Sequence, residues 1–202
     1  MNITGRYMNE KIKQGWSAED FAKHFGTTKE EFILALEKKF SSKASSQMMK
    51  RMEIFDIDKA FITLHCGLGN FRDTDVEDLT KHKIDSEQMK VDRECCEMVN
   101  RAKDNGQKIL AVGTTVQRAL EVCVGPDCRI KEFEGWTNKF IFPPYDFSVA
   151  DSMLVNFHLP YSTLLMLTAA FGGYENTMKA YDVALQEDYR FGVYGDCLLI
   201  VD

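Results

Sequence analysis

The sequence predicts an α/β fold, a sheet flanked by helices, preceded by a small all-helical segment resembling a helix-turn-helix. Three observations carry this. From Asp58 onward, short apolar runs such as 60–64 (AFITL), 108–112 (KILAV) and 197–201 (CLLIV) alternate with helix-length amphipathic stretches. The stretch 153–173 (MLVNFHLPYSTLLMLTAAFGG) places a strand, a polar corner and a buried helix in one short span. A strand also runs through the small-residue turn Gly113-Thr114-Thr115 straight into a helix. Corners of this kind put side chains and free N–H groups at the edge of a sheet, where ligands bind.

The chain has 202 residues, of which 45% are hydrophobic, enough for a real core. It shows no apolar run of bilayer length and no basic-then-apolar leader, so a soluble, cytoplasmic protein is expected. A net charge of -6 argues against a broadly basic nucleic-acid surface while leaving room for a local patch. Cys66, Cys95, Cys96, Cys123, Cys128 and Cys197 show no paired C-x-x-C spacing and no completing histidine pair. They are expected to be reduced structural thiols, and no metal site is predicted.

Residues 1–56 read as a helical unit. Ser17 with Asp20, and Thr27 with Glu30, have capping-box spacing, and Gly26 supplies a turn between helices. Phe21, Ala22 and Phe25 share one apolar face, and Phe32, Ile33, Leu36 and Phe40 another. The pair resembles a helix-turn-helix, with lysines favouring nucleic-acid docking and Glu30, Glu31 and Glu37 opposing it. A polar break at 41–47 and a further helix at 48–55 lead to the main unit, 57–202.

In that unit, strand 60–64 runs into His65-Cys-Gly67-Leu-Gly69-Asn-Phe71, where Gly67 and Gly69 permit close backbone approach and Phe71 can pack over a ligand. Residues 74–92 are charged and hold His82, Asp85 and Glu87; 94–105 is a helix ended by Gly106. Strand 108–112 leads through Gly113, Thr114 and Thr115 into helix 116–123. Arg118 falls in its first turn, against the helix dipole, and either serves a ligand anion or pairs with an acidic neighbour. Residues 125–138 are a polar connection, 139–142 a third strand, and Pro143-Pro144-Tyr145 a rigid turn. In the organising stretch, Asn156 and His158 end the strand, Pro160 breaks it, Ser162 or Thr163 caps, and 164–171 is helical before Gly172 and Gly173. An amphipathic helix at 176–187, a Tyr194-Gly195-Asp196 turn and strand 197–201 complete the chain.

His65, Asn156, His158 and Asp196 thus lie at strand ends. Each alone has an ordinary structural explanation; together they suit a small-molecule pocket. Nothing identifies a nucleophile, a phosphate-binding loop or a metal cluster.

Five stretches occur in one order: 63–71 (TLHCGLGNF), 111–121 (AVGTTVQRALE), 155–167 (VNFHLPYSTLLML), 170–174 (AFGGY) and 189–196 (YRFGVYGD). In this the chain resembles the S-adenosylmethionine:tRNA ribosyltransferase-isomerases of queuosine biosynthesis. The likeness implies S-adenosylmethionine as a consumed co-substrate, no metal, and tRNA carrying a 7-aminomethyl-7-deazaguanine base as acceptor, giving epoxyqueuosine. It implies a base for the ribose carbon beside the sulfonium and a donor for departing adenine, with His65, His158 and Asp196 as the available acid–base groups. Gly67, Gly69, Gly113, Thr114, Thr115, Arg118 and Asn156 would shape binding, with Arg118 and the 113–115 turn holding a carboxylate or phosphate. Phe71, Tyr145 or Tyr194 would stack on a base.

Family members usually carry a further N-terminal half, with an inserted β domain, where this chain has its helical segment. They also read His-x-x-His-Ser-Glu-Tyr where it has His82, Asp85 and Gln88, and Gly where it has Pro144. Two readings follow: a tRNA-modifying enzyme, or a binding relative that senses a nucleoside-like ligand and docks on nucleic acid. A partner chain or a homo-oligomer is compatible with either, and no membrane is expected.

Overall fold

The structure, a computed structural model, describes residues 49–67, 74, 76, 78–192 and 194–201. The helix-turn-helix expectation, Gly69 and Phe71 lie outside these residues. A helical stretch at 49–54 comes first, as expected, and folds back through Ile57 N–H to Met52 O at 2.9 Å.

The α/β class holds, but with two small sheets. β1 (Thr63–Leu64), β2 (Glu87–Val91) and β4 (Phe133–Thr137) form an antiparallel sheet in the order β1-β2-β4. β3 (Leu110–Val112), β5 (Ser152–Asn156) and β6 (Cys197–Val201) form the other, with β3 parallel and β6 antiparallel to β5. The helices are α1 (Arg93–Asp104), α2 (Thr114–Cys123), α3 (Thr163–Gly172) and α4 (Tyr174–Gln186).

Several expectations change. Strand 60–64 shrinks to Thr63–Leu64, because only those residues find a partner in β2. The charged stretch contains β2, and the polar connection contains β4; the two pair over their full length, from Glu87↔Thr137 to Val91↔Phe133. Residues 139–142 form no strand, although Ile141 is buried. α2 starts at Thr114, so Arg118 stands two residues deeper than expected, past the first turn where the helix dipole acts most strongly.

Local chemistry sets the helix ends. Asp92 caps α1 by accepting the Cys95 N–H at 2.9 Å, and Ser162 caps α3 by accepting the Leu165 N–H at 3.2 Å. Gly113 precedes α2 at φ 103, a left-handed value that favours glycine, and no side chain caps that helix. Its first N–H groups therefore remain available for an acceptor. The core gathers Met89 and Val91 of β2, Val99 of α1, Ala119 and Leu120 of α2, Leu167 of α3, and Ala111, Met153 and Val155 of the second sheet.

None of the six cysteines is in a disulfide. Cys95, Cys96 and Cys123 are buried, as a structural reading expects, whereas Cys66, Cys128 and Cys197 are exposed.

Candidate functional site

The parallel strands β3 and β5 end at the same sheet edge. Gly113, just past β3, donates its N–H to Leu154 O of β5 at 2.8 Å, and Asn156 ends β5 opposite Cys197. Most of the residues singled out above gather at this C-terminal edge, the usual position for a ligand in an open α/β sheet.

One group surrounds a buried ion pair. Glu87 opens β2 on its inward face, because Glu87, Met89 and Val91 alternate inward with Gln88 and Lys90 outward. Its Oε1 accepts the Gly67 N–H at 2.6 Å, and its Oε2 accepts from Arg118 Nη2. The two side chains are only 2% and 6% exposed. Of the two partners considered for Arg118, the structure supplies an acidic neighbour, which also fixes the glycine turn. Arg118 then lines a narrow cavity with Thr114 and Thr115 of α2, Thr163 and Leu164 of α3, and Lys139 and Phe140. The N-termini of two helices thus meet at this cavity, an arrangement that favours an anion. His82 packs against Phe140 with ring centroids 5.1 Å apart, and its Nε2 is sealed from solvent with no hydrogen-bond partner.

A second group sits at the end of β5. The His158 main-chain N–H donates to the Tyr181 hydroxyl at 2.8 Å, and its Nε2 is buried with no hydrogen-bond partner. Burial pushes its pKa down to about 4, so the ring is neutral at physiological pH. Phe157 joins it to the last turn, donating its N–H to Asp196 O at 3.4 Å and accepting from Gly192 N–H at 2.8 Å. Asp196 binds Arg190 three ways: to its main-chain N–H at 2.8 Å, to Nε at 3.4 Å and to Nη2 at 2.9 Å. These bonds hold the carboxyl below its ordinary pKa, so Asp196 is an ionised acceptor at neutral pH rather than an acid. Tyr194 lies in that turn with its hydroxyl buried.

The corner 159–162 links the two groups, running from His158 to Thr163. Thr74 is tied to this corner, donating its N–H and its hydroxyl to Tyr161 O at 2.9 and 3.0 Å.

Other residues stand apart. His65 is exposed and is held by its main-chain N–H to Gln88 O at 2.8 Å. Asn156 reaches Cys197 Sγ at 3.7 Å. Tyr145 donates its hydroxyl to Glu121 Oε2 at 3.1 Å and packs on Phe147, so its ring serves the fold. Buried Glu121 also accepts the Ser148 N–H at 3.0 Å, and its main-chain oxygen accepts from Lys139 Nζ at 2.7 Å. Burial lowers the Lys139 pKa.

Sequence reasoning missed Glu87 and Lys139 as site residues. For Glu87 a signal existed: an acid in register with Met89 and Val91 on the apolar face of an alternating run. A wider cleft of about 450 Å³, between Lys103, Lys108, Phe147 and Asp151, contains none of the candidate site residues and only Phe171 of the motif stretches. Among the described residues no group of three or more His, Cys, Asp or Glu could hold a metal ion, and no helix is long and apolar enough to cross a membrane.

The family model described as "Queuosine biosynthesis protein" matches residues 41–200. The S-adenosylmethionine:tRNA ribosyltransferase-isomerase of Phocaeicola vulgatus is 68% identical over 158 residues, covering 78% of this chain and 45% of that protein. The Cytophaga hutchinsonii protein of the same name is 54% identical over 157 residues, with the same coverage. The crystal structure of an S-adenosylmethionine tRNA ribosyltransferase from Thermotoga maritima superposes with a TM-score of 0.62 at 33% identity, covering 77% of this chain and 49% of that one. The chain therefore spans about half the length of the relatives it matches.

Proposed function

The chain belongs to the queuosine biosynthesis protein family, and on that premise we propose that it works in transfer and isomerisation of the ribosyl group of S-adenosylmethionine onto deazaguanine-bearing tRNA. The observation that carries this reading is the convergence of the Gly67–Glu87–Arg118 triad, the two helix N-termini and His158 on one sheet edge.

Each group suits a step of that chemistry. His158 is a neutral imidazole at the end of β5, and we assign it to take the proton from the ribose carbon beside the sulfonium. His65, exposed beside the glycine turn, is the group we assign to protonate departing adenine. Asp196 stays ionised and orients groups around it. The uncapped N-terminus of α2 would hold a carboxylate or phosphate, and Arg118, neutralised by Glu87, frames that site. Tyr194 and Asn156 would complete the binding surface.

We place the reaction in the cytoplasm with residues 57–202 as the working unit, although the family match begins earlier, at residue 41. The test is calorimetric titration with S-adenosylmethionine, then mass spectrometry for adenine after the modified tRNA is added. Binding with adenine release, lost in His158→Ala, is expected. Binding without release would favour the sensing relative, and no binding would end both readings.

A further inference from the structure

The outer face of the sheet β1-β2-β4 carries a row of aromatic and polar side chains. Register sets Gln88 of β2 opposite Trp136 of β4, and Lys90 opposite Glu134. On the other side Thr63 of β1 faces Lys90, and the His65 N–H donates to Gln88 O at 2.8 Å, carrying the pairing one residue past the strand. Met89 and Val91 point into the core, so these alternate residues face outward. His65, Gln88 and Trp136 thus form one row across three strands, about 10 Å long at two strand spacings. All three are exposed, and Trp136 is 68% exposed. A ring of that size left in water is characteristic of a contact surface. In the neighbouring row Lys90 Nζ bonds Glu134 Oε2 at 2.7 Å, so the two charges offset one another. The face therefore suits a flat, neutral group with polar edges. It also adjoins the candidate site. The next pair along the strands is Glu87 with Thr137, and Glu87 holds Gly67 and Arg118. Beyond β4 the chain continues into Lys139 and Phe140 of the narrow cavity.

We infer that this row is a platform for an unpaired RNA base, which stacks on the Trp136 indole while Gln88 offers its amide to the base edge. Chemistry on a base takes that base out of its stack and leaves its neighbour with an uncovered face. Aromatic side chains on open sheets cover such faces, with little regard to sequence. The platform thus holds the nucleotide flanking the modified base. The inference rests on the proposed RNA acceptor and adds the surface that receives it.

The chain has two tryptophans, Trp16 and Trp136, so Trp16→Phe leaves Trp136 as the sole indole emitter. Titrating that variant with an RNA hairpin that carries 7-aminomethyl-7-deazaguanine in its loop should quench the emission, and a fully paired RNA duplex should not. Fluorescence anisotropy of the labelled hairpin with the otherwise native chain reads affinity. Trp136→Ala should weaken binding about tenfold, and Trp136→Phe, which keeps a ring, should retain most of it. Tyr174→Ala, which removes a ring that is 65% exposed elsewhere, should leave it unchanged. The salt dependence of binding should be the same with and without the indole, because stacking releases no counterions. Trp136 is an exposed position, so its variants should fold, which circular dichroism checks. Absence of quenching, quenching by S-adenosylmethionine in place of the hairpin, an equal response to the duplex, or affinity indifferent to Trp136→Ala would overturn the inference. Adenine release is measured separately. Release without quenching removes the platform alone, and quenching without release counts against the reaction alone.

Discussion

Arg118 and Glu87 form an ion pair that is almost wholly buried, joining the second helix to a strand of the other sheet. Each charge has lost its hydration, so each depends on the other. The carboxylate also holds the Gly67 turn, which makes the pair a link between fold and ligand edge. Removing one partner leaves a buried charge uncompensated and should cost about 3–5 kcal/mol. Urea unfolding of Glu87→Gln, Arg118→Met and the double variant measures this. The double variant should recover much of the loss, and strictly additive losses would show the charges are not coupled.

His158 gives the stability a defined pH dependence. The folded protein holds this ring near pKa 4, against an ordinary value of 6.5. Between those values the unfolded chain binds a proton that the fold refuses, so stability falls as pH drops from 6.5 to 4 and is unaffected by this group above 6.5. The full effect is up to about 3 kcal/mol. His158→Gln should flatten that part of the profile in denaturation series at pH 7 and pH 5. An unchanged slope would mean the imidazole is not sealed.

Much of this was legible in the sequence, and its gaps have physical causes. The strand-corner-helix at 152–172 was readable because Pro160, Ser162 and the apolar run agree locally. β4 was not, because its residues include Gly135 and Glu134 and leave Trp136 outside; only pairing with β2 makes it a strand. Residues 139–142 show the converse, apolar and β-prone but without a partner strand. Of the candidate site, Gly113, Thr114, Thr115, Arg118 and His158 are singled out by their positions near element ends. Glu87 required knowing which face of β2 turns inward, and Lys139 depends on a contact to Glu121 that no local pattern encodes.

The thiols should separate into two reactivity classes. Burial pushes Cys95 up to about 11 and Cys123 up to about 12, so both are almost wholly protonated at pH 8. Cys66 and Cys128 are exposed, as is Cys197, whose pKa is raised more modestly. Iodoacetamide at pH 8 followed by peptide mapping should label these three first, and Cys95 and Cys123 only after denaturant is added. Early labelling of Cys123 would contradict its place in the core.

The turn carrying Asp196 depends on a close main-chain approach at Gly195. A Cβ there would stand 2.2 Å from Arg190 O and 2.8 Å from Phe191 C, both main-chain atoms that cannot rotate away. Gly106 offers the opposite case, with φ +64 but nothing within 4 Å of an added Cβ. Gly106→Ala should therefore cost only the conformational penalty, about 1 kcal/mol, whereas Gly195→Ala must open the turn and should cost several times more. It should also loosen the Arg190–Asp196 pair, which holds the Asp196 pKa down and adds stability that is present above the ordinary carboxylate pKa and lost as pH falls through the lowered one. In Gly195→Ala that acid-side loss of stability should shrink. Equal costs for the two alanine variants in urea unfolding would show that the backbone at 190–195 is less tightly folded than this.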